Sequence, residues 1–186
     1  VRAELMPSAS LRERMRWSVA LQHSALVPSP IGGLGLNINL NRVSDDNYWR
    51  DFTRVSPGLT QRQLPNDLSM TWSSGYLSTS IRMLKWQTLQ DVTSPIVPPY
   101  DRMPQLAMRY ARVNINGFDM SVDADATRFN SDSNLTGQAN GNRAFTALEI
   151  SRPWVSSAGF ITPKLRLHAT NYQFNSALAN GATSAS

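Results

Sequence analysis

Three carboxylates recur at odd positions of one strand-like segment, residues 118–127. Asp119, Asp123 and Asp125 share one face there, because successive side chains of a strand point to opposite sides. Carboxylates that lie close together on one face could bind a cation or act as general acid and base. The alternative is a solvated face whose carboxylates pair with arginines of neighbouring strands, and this is the interpretation that we favour.

Basic side chains alternate in the same way at two other places. They form two rows: Arg12, Arg14 and Arg16 near the N-terminus, and Lys164, Arg166 and His168 in the last strand-like segment. Such rows could contact the phosphates of nucleic acid or of a glycolipid, or they could pair with the aspartates. The formal net charge of +5 fits each of these partners, so charge alone does not choose between them.

The residue types that most enzymes and metal sites need are missing or scattered. The chain has no cysteine, which excludes a disulfide scaffold, a thiolate nucleophile and a cysteine-ligated zinc site within this segment. Its two histidines, His23 and His168, are far apart and have no metal-ligand spacing around them. There is no G-x-S-x-G elbow, phosphate-binding loop or dinucleotide fingerprint. The sequence therefore predicts no enzyme, no catalytic residue, no metal site and no cofactor.

The charged rows lie in segments where apolar and polar residues alternate with a period of two, as they do in β-strands. This alternation is nearly perfect in GLGLNINLNR, residues 33–42, and it recurs from residues 11–22 to residues 161–170. No long stripe at helical spacing is visible. The pattern predicts an all-β chain of about eight strands with roughly 9 to 13 residues each.

Turns and loops separate the predicted strands. Ser73-Ser74-Gly75 and Asn116-Gly117 predict hairpin turns, and residues 94–104 contain four prolines, which cannot donate to a β-ladder and predict an ordered loop. Residues 76–89 carry apolar side chains at both odd and even positions, which a β-bulge would explain.

Long strands joined alternately by short turns and long polar loops favour an antiparallel transmembrane β-barrel wall segment, since a membrane strand needs about 9 to 11 residues. The N-terminal VRAELMPSAS lacks the pattern of a signal peptide, and we expect an internal stretch of a longer chain. Aromatic residues at segment ends could form interfacial girdles. These residues are Trp17, Tyr48, Trp49, Trp72, Tyr110 and Trp154.

Two rival architectures stay open on the residues alone. A self-contained eight-stranded β-barrel that binds or transports a lipid would need its first and last strands to pair. A nucleic-acid-binding β-domain would need arginines and aromatics mixed on one exposed face, whereas the arginines here lie largely opposite the apolar stripe.

Several blocks of sequence resemble the barrel region of the LptD family of outer-membrane lipopolysaccharide-assembly proteins. They are RVSDDNYWRDF at 42–52, LKWQTLQDVTSPIVPPYDRMPQLAMRYAR at 84–112 and TPKLRLHATNYQF at 162–174, with NGFDMSVDADATRF and LTGQANGNRAF in order between them. The resemblance spans nearly the whole chain and is collinear.

The resemblance implies a large barrel in the cell outer membrane that delivers lipopolysaccharide to the outer leaflet without covalent chemistry. It implies an LptE-type plug lipoprotein inside the barrel, and a periplasmic bridge protein of the LptA type that acts through an N-terminal domain outside this segment. Residues 1–186 would then be a single partial domain, about the fourth to eleventh wall strands, with no nucleic-acid partner. The expected lumen-facing polar contacts are Arg12, Arg14, Arg16, Asp119, Asp123, Asp125, Lys164, Arg166 and His168.

Overall fold

The fold is an antiparallel sheet that is one layer thick. The computed structural model describes residues 2–6, 15–51 and 61–186 of the chain. Within these ranges the strands are β1 Arg2–Met6, β2 Arg16–Ser29, β3 Gly32–Val43, β4 Gln63–Ser74, β5 Leu77–Thr88, β6 Asp101–Ile115, β7 Phe118–Asn130, β8 Gly141–Ser151, β9 Trp154–Ser156, β10 Gly159–Ile161, β11 Lys164–Phe174 and β12 Ser184–Ala185. The predicted all-β class is confirmed, and eight of these strands are long.

Neighbouring strands in the sequence are neighbours in the sheet. The order is β1-β2-β3-β4-β5-β6-β7-β8-β11-β12, and every described pairing is antiparallel. The short strands β9 and β10 form a separate hairpin between β8 and β11. Because β1 and β12 lie at opposite edges and pair only inward within the described ranges, the sheet does not close on itself there, as the eight-stranded rival would require.

The two ends of the sheet differ in their connections. Two-residue turns follow β2, β4 and β6 at one end, which we call the short-turn rim. The predicted turns at Gly75 and at Asn116-Gly117 lie there, and both glycines have positive φ, which a residue without a Cβ adopts freely. Residues 44–51, 61–62, 89–100 and 131–140 lie at the opposite end, the long-loop rim. Two single helical turns in these loops, α1 Tyr48–Asp51 and α2 Ser133–Thr136, were not predicted.

Register keeps one class of side chain on each side of the sheet. Directly opposed pairs such as Asn39 with Asp67, and Ser80 with Ala107, share one side, which we call the polar face. Pairs such as Ile38 with Leu68, and Val122 with Leu148, share the other side, the apolar face. The predicted alternation therefore runs through the eight long strands, and its main exception is β5, where Leu84 and Trp86 lie on the polar face.

Strand β6 differs from the prediction in its first residue and in the position of a β-bulge. Strand β6 begins at Asp101, so the proline-rich loop is shorter than residues 94–104. Pro104 is accommodated because the pairing shifts between Arg102 and Gln105 on both sides of β6, and a proline at such a bulge has no ladder hydrogen bond to lose. The extra residue thus lies in β6 and not in its neighbour β5, where the sequence pointed.

The described hydrophobic core is small and lies at the long-loop rim. Val43, Tyr48, Leu64 and Leu89 are almost fully buried and pack together. By contrast, Leu68, Met70, Met83, Leu106 and Met108 on the apolar face are each at least 40% exposed. No second layer covers that face in the part of the chain that the structure describes.

Candidate functional site

The polar face gathers most of the charged side chains of the long strands. Its centre is a shallow hollow of about 390 Å³. Small residues open the hollow, because Ser80 and Ala107 are directly opposed and leave room that larger side chains would fill. Polar-face side chains around it include Thr71, Ser73, Ser78, Arg109, Asp123, Asp125 and Phe145. On its polar side the hollow is thus lined by hydroxyls, the ring of Phe145 and charges of both signs.

Asp125 is the most thoroughly hydrogen-bonded carboxylate of this face. Arg143 Nη2 donates to Oδ1 at 2.7 Å, Thr127 Oγ1 donates to Oδ1 at 2.8 Å, and Gln105 Nε2 donates to Oδ2 at 2.9 Å. The donors come from β8, β7 and β6, so one carboxylate ties three adjacent strands together. Both oxygens are occupied by protein donors, which does not suit an acid or base that must exchange protons with a substrate.

Three other carboxylates of the face form ion pairs with cations of neighbouring strands. Asp67 on β4 pairs with Arg82 on β5, and Asp123 on β7 pairs with Arg109 on β6 at 2.9 Å. Glu149 on β8 pairs with Lys164 on β11 at 3.3 Å. The polar face is therefore a sequence of opposite charges and not a patch of one sign.

Asp119 has a local role at the short-turn rim. Its Oδ1 accepts the backbone N–H of Asn114 at 2.8 Å. Asn114 has φ 57°, and the β6–β7 pairing shifts between Arg112 and Ile115. The carboxylate thus holds the irregular backbone that sets the register of this hairpin.

Arg16, the first residue of β2, connects that strand to the loop after β3. Its guanidinium donates from Nε and Nη2 to both oxygens of Asp45 at 2.8 Å, and from Nη1 to Asp51 at 2.7 Å. It also lies 5.4 Å from the ring centre of Tyr48, and its side chain is only 4% exposed. Arg16 is therefore an anchor for α1 and its loop.

These contacts also set the charge state of Asp45. Burial disfavours its ionised form and is the largest single influence, but hydrogen bonds from Arg16, Ser44 and the Asn47 backbone together outweigh it, so the pKa of Asp45 is lowered from 3.8. The carboxylate stays charged in the folded loop.

The next long loop is fastened to the first by amide and carboxylate side chains. Gln87 bonds both the N–H and the carbonyl of Val43, at 3.1 and 2.8 Å, so the side chain imitates a ladder partner. Asp91 accepts from the backbone and hydroxyl of Thr93, which lowers its pKa, and it also pairs with Arg50. The loops of this rim are thus packed against each other.

The predicted site residues share a face but do not converge on one point. Within the described part of the chain, seven of the nine lie on the polar face, whereas Arg12 and Arg14 lie outside the described residues. Arg166 is opposed to Glu149 and His168 to Ala147. That this face borders a lumen stays a prediction.

Sequence reasoning missed the partners that complete the pairs, namely Asp45, Asp51, Asp67, Arg82, Arg109, Arg143 and Glu149. A signal was available for two pairs, one of which is Arg109 and Asp123 on either side of the predicted turn at Asn116-Gly117. Asp67 and Arg82 stand at comparable distances before and after the turn at Gly75, so hairpin register brings them near each other. The loop partners of Arg16 carried no such signal, because loop geometry has no period.

Neither a metal cluster nor a membrane-spanning helix is found in the described residues. Among them, no group of three or more histidine, aspartate or glutamate side chains is arranged to hold a metal ion. No helix in residues 2–6, 15–51 or 61–186 is long and apolar enough to cross a membrane.

One of the aromatic residues expected at membrane interfaces is buried in the protein instead. Tyr48 is a member of the hydrophobic core at the long-loop rim, because α1 folds its ring onto Val43.

Comparison with known proteins gives a consistent result over the whole chain. The family model LptD, LPS transport system D, matches residues 14–186. The LPS-assembly protein LptD of Albidiferax ferrireducens is 59% identical over 100% of this chain and 24% of its own length. Those of Polaromonas sp. and Ralstonia nicotianae are 53% and 36% identical over 100% and 94% of this chain, and 24% and 21% of their own lengths. The chain thus spans about a quarter of the length of these relatives.

Proposed function

This chain belongs to the LptD family, and we propose that it is part of the wall of an outer-membrane β-barrel that assembles lipopolysaccharide into the outer leaflet. In this proposal residues 1–186 are one partial domain of that barrel. The wall acts as a conduit and carries out no covalent chemistry. The observation that carries the proposal is the separation of an ion-paired polar face from an apolar face across the whole sheet.

The apolar face has the properties of a surface in contact with lipid. Of the six acidic residues in the described long strands, only Asp101, at the start of β6, falls outside the polar face. From Phe118 to Ala126 the uncharged run on the apolar face of β7 covers eight residue steps, about 27 Å along the strand, and Arg128 follows it. A tilt of about 40° reduces this run to about 20 Å, close to the roughly 25 Å height of the apolar band of outer-membrane barrels.

The polar face has the properties of a lumen wall. Its charges are paired between strands, so a passing anion meets no strong trap of one sign. Its central hollow offers hydroxyls and the ring of Phe145, groups that hydrogen-bond and stack with sugars. This suits a saccharide that moves past a wet surface while its acyl chains stay elsewhere.

The difference between the two rims indicates how the wall is oriented in the outer membrane. Outer-membrane barrels have short turns at the periplasmic end and longer loops outside, which would place the loops fastened by Arg16 and Gln87 at the cell surface. An LptE-type lipoprotein would face the polar side within the lumen. A bridge protein of the LptA type would deliver lipopolysaccharide to a domain outside this segment.

Site-specific photo-crosslinking in the full-length protein tests this proposal. A photoreactive phenylalanine analogue at Phe145 is expected to capture lipopolysaccharide or the plug lipoprotein, and the capture of lipopolysaccharide should stop when its supply from the periplasm is interrupted. The same analogue at Leu148, on the opposite face of the same strand, should capture membrane lipid whether or not supply continues. Supply-dependent capture at Leu148 and none at Phe145 would reverse the assignment of the two faces.

A further inference from the structure

The apolar face carries its charge at its two ends. In the described long strands its cations are Arg42, Lys85 and Arg128 near the long-loop rim and Arg112 near the short-turn rim. Arg112 lies over the ring of Tyr76, with 5.1 Å between the guanidinium carbon and the ring centre. Arg42 and Lys85 are exposed and have no carboxylate within ion-pair distance among the described residues. The Asp101 carboxylate near this end accepts the backbone N–H of Trp86 at 2.7 Å.

Arg42 and Lys85 border one groove on this face. The groove has a volume of about 550 Å³, and Trp17, Val19, Leu40, Asn66 and Gln87 also line it. Arg42 on β3 is opposed to Val19 on β2, and Lys85 on β5 is opposed to Asn66 on β4. The two cations are thus two strand spacings apart, roughly 10 Å across the strands.

The groove places the two chemistries of a lipid next to each other. Val19 lies level with Arg42, and Leu40 lies two residues further toward the short-turn rim, so apolar contact begins beside the Arg42 cation and continues toward the membrane band. Unpaired cations at this depth are costly unless they reach headgroups, and a phosphate accepts charge-assisted hydrogen bonds from both arginine and lysine. A bilayer lipid with two separated phosphates would satisfy both at once.

We propose that this groove binds a phosphorylated glycolipid of the surrounding outer leaflet, with its phosphates on Arg42 and Lys85 and an acyl chain along Val19 and Leu40. The inference rests on the proposed function, because it needs the apolar face to meet lipid and the long-loop rim to face outward. The bound lipid is a resident neighbour of the wall and does not pass through the lumen.

Lipid binding to the full-length protein, purified with its plug lipoprotein, tests this site. The probe is bis-phosphorylated lipid A, added to delipidated protein and counted by native mass spectrometry. The double variant Arg42→Gln/Lys85→Gln is expected to bind it at least tenfold more weakly than the wild type. Arg112→Gln, which removes one cation from the other end of the same face, should stay within about twofold.

Control variants and control ligands distinguish phosphate recognition at this groove from misfolding and from nonspecific binding of lipid A. Arg42→Lys/Lys85→Arg keeps both charges and should retain binding, even if the double glutamine variant fails to fold. Lipid A without phosphates should bind the wild type as weakly as it binds the glutamine variant, and inorganic phosphate should not compete at millimolar concentration. Equal loss in Arg112→Gln, or full competition by phosphate, would overturn the site. Failure here alongside the expected crosslinks at Phe145 and Leu148 would leave the proposed function standing.

Discussion

Asp125 illustrates how single residues stabilise the wall. Its carboxylate is 14% exposed and accepts hydrogen bonds from three strands, whereas Arg109, the partner of Asp123, is 59% exposed. Exposed ion pairs contribute little, since water competes for both ions. A partly buried carboxylate that accepts from several protein donors contributes more, because its removal leaves hydrogen-bond donors unsatisfied.

We therefore expect Asp125→Ala to lower the free energy of unfolding of the full-length barrel by about 1 to 3 kcal/mol. The reason is that Arg143 and Gln105 would lose their acceptor while remaining partly buried. Urea unfolding in a lipid bilayer measures the change. Asp123→Ala is the matched control two residues away on the same face, with an expected loss of no more than about 1 kcal/mol. Similar losses for the two variants would contradict this account of the polar face.

Strand β6 shows what a single element contributes to the faces. Its pairing with β7 shifts between Arg112 and Ile115, so that Arg109 faces Asp123 and not the apolar Ala124. A one-residue slip would exchange the faces along the whole strand. The irregular backbone at Asn114, held by Asp119, therefore keeps the ion pair on the polar side.

The loop after β3 gives a prediction about pH. Because the folded-state pKa of Asp45 is lowered, its contribution to loop stability is fully present above the ordinary value of 3.8 and is lost as the pH falls through the lowered value. We expect residues 44–51 to become less protected against hydrogen exchange in that acidic window, relative to the adjacent strands. The loss corresponds to about 1 kcal/mol, roughly a fivefold faster exchange after correction for intrinsic rates.

Two variants separate this effect from general acid unfolding. In Asp45→Asn the loop should already exchange faster at neutral pH and should change little on acidification. Asp46→Asn alters the exposed neighbour and should behave as the wild type does. If the wild-type loop keeps full protection at a pH where Asp45 is protonated and the strands are still protected, the Arg16–Asp45 contact does not hold the loop.

At the scale of the molecule, the described part of the chain is an open wall. Within residues 2–6, 15–51 and 61–186 the single layer has two edges with unpaired backbone groups, along β1 and β12, and its apolar face is uncovered. Unpaired edges and broad apolar patches both promote association in water. Lipid on one side and further strands at both edges would remove both problems.

We accordingly expect residues 1–186, produced alone, to aggregate in plain buffer. β-Structure should be recovered in detergent micelles, and more completely when the flanking strands of the barrel are supplied. Light scattering and circular dichroism, each with and without detergent, follow the two properties. A monodisperse chain that unfolds cooperatively in plain buffer would mean that the apolar faces close into a soluble core. The interpretation of this chain as part of a barrel wall would then be wrong.

The sequence by itself determined the elements and their sides. Alternation is a local property with a period of two residues, so runs such as Leu34 to Leu40 predict both a strand and its two faces. The same rule placed Asp123 and Asp125 on one face, and turn chemistry located the hairpin at Asn116-Gly117.

Only the tertiary structure decided which groups meet. The bulge in β6, the partners of Asp125 and the enclosure of Arg16 by Asp45 and Asp51 depend on register and on loop packing. These arise from contacts between residues far apart in the chain, and no local pattern encodes them. Arg16 accordingly looked like a member of a basic row, whereas its surroundings make it the anchor of a loop.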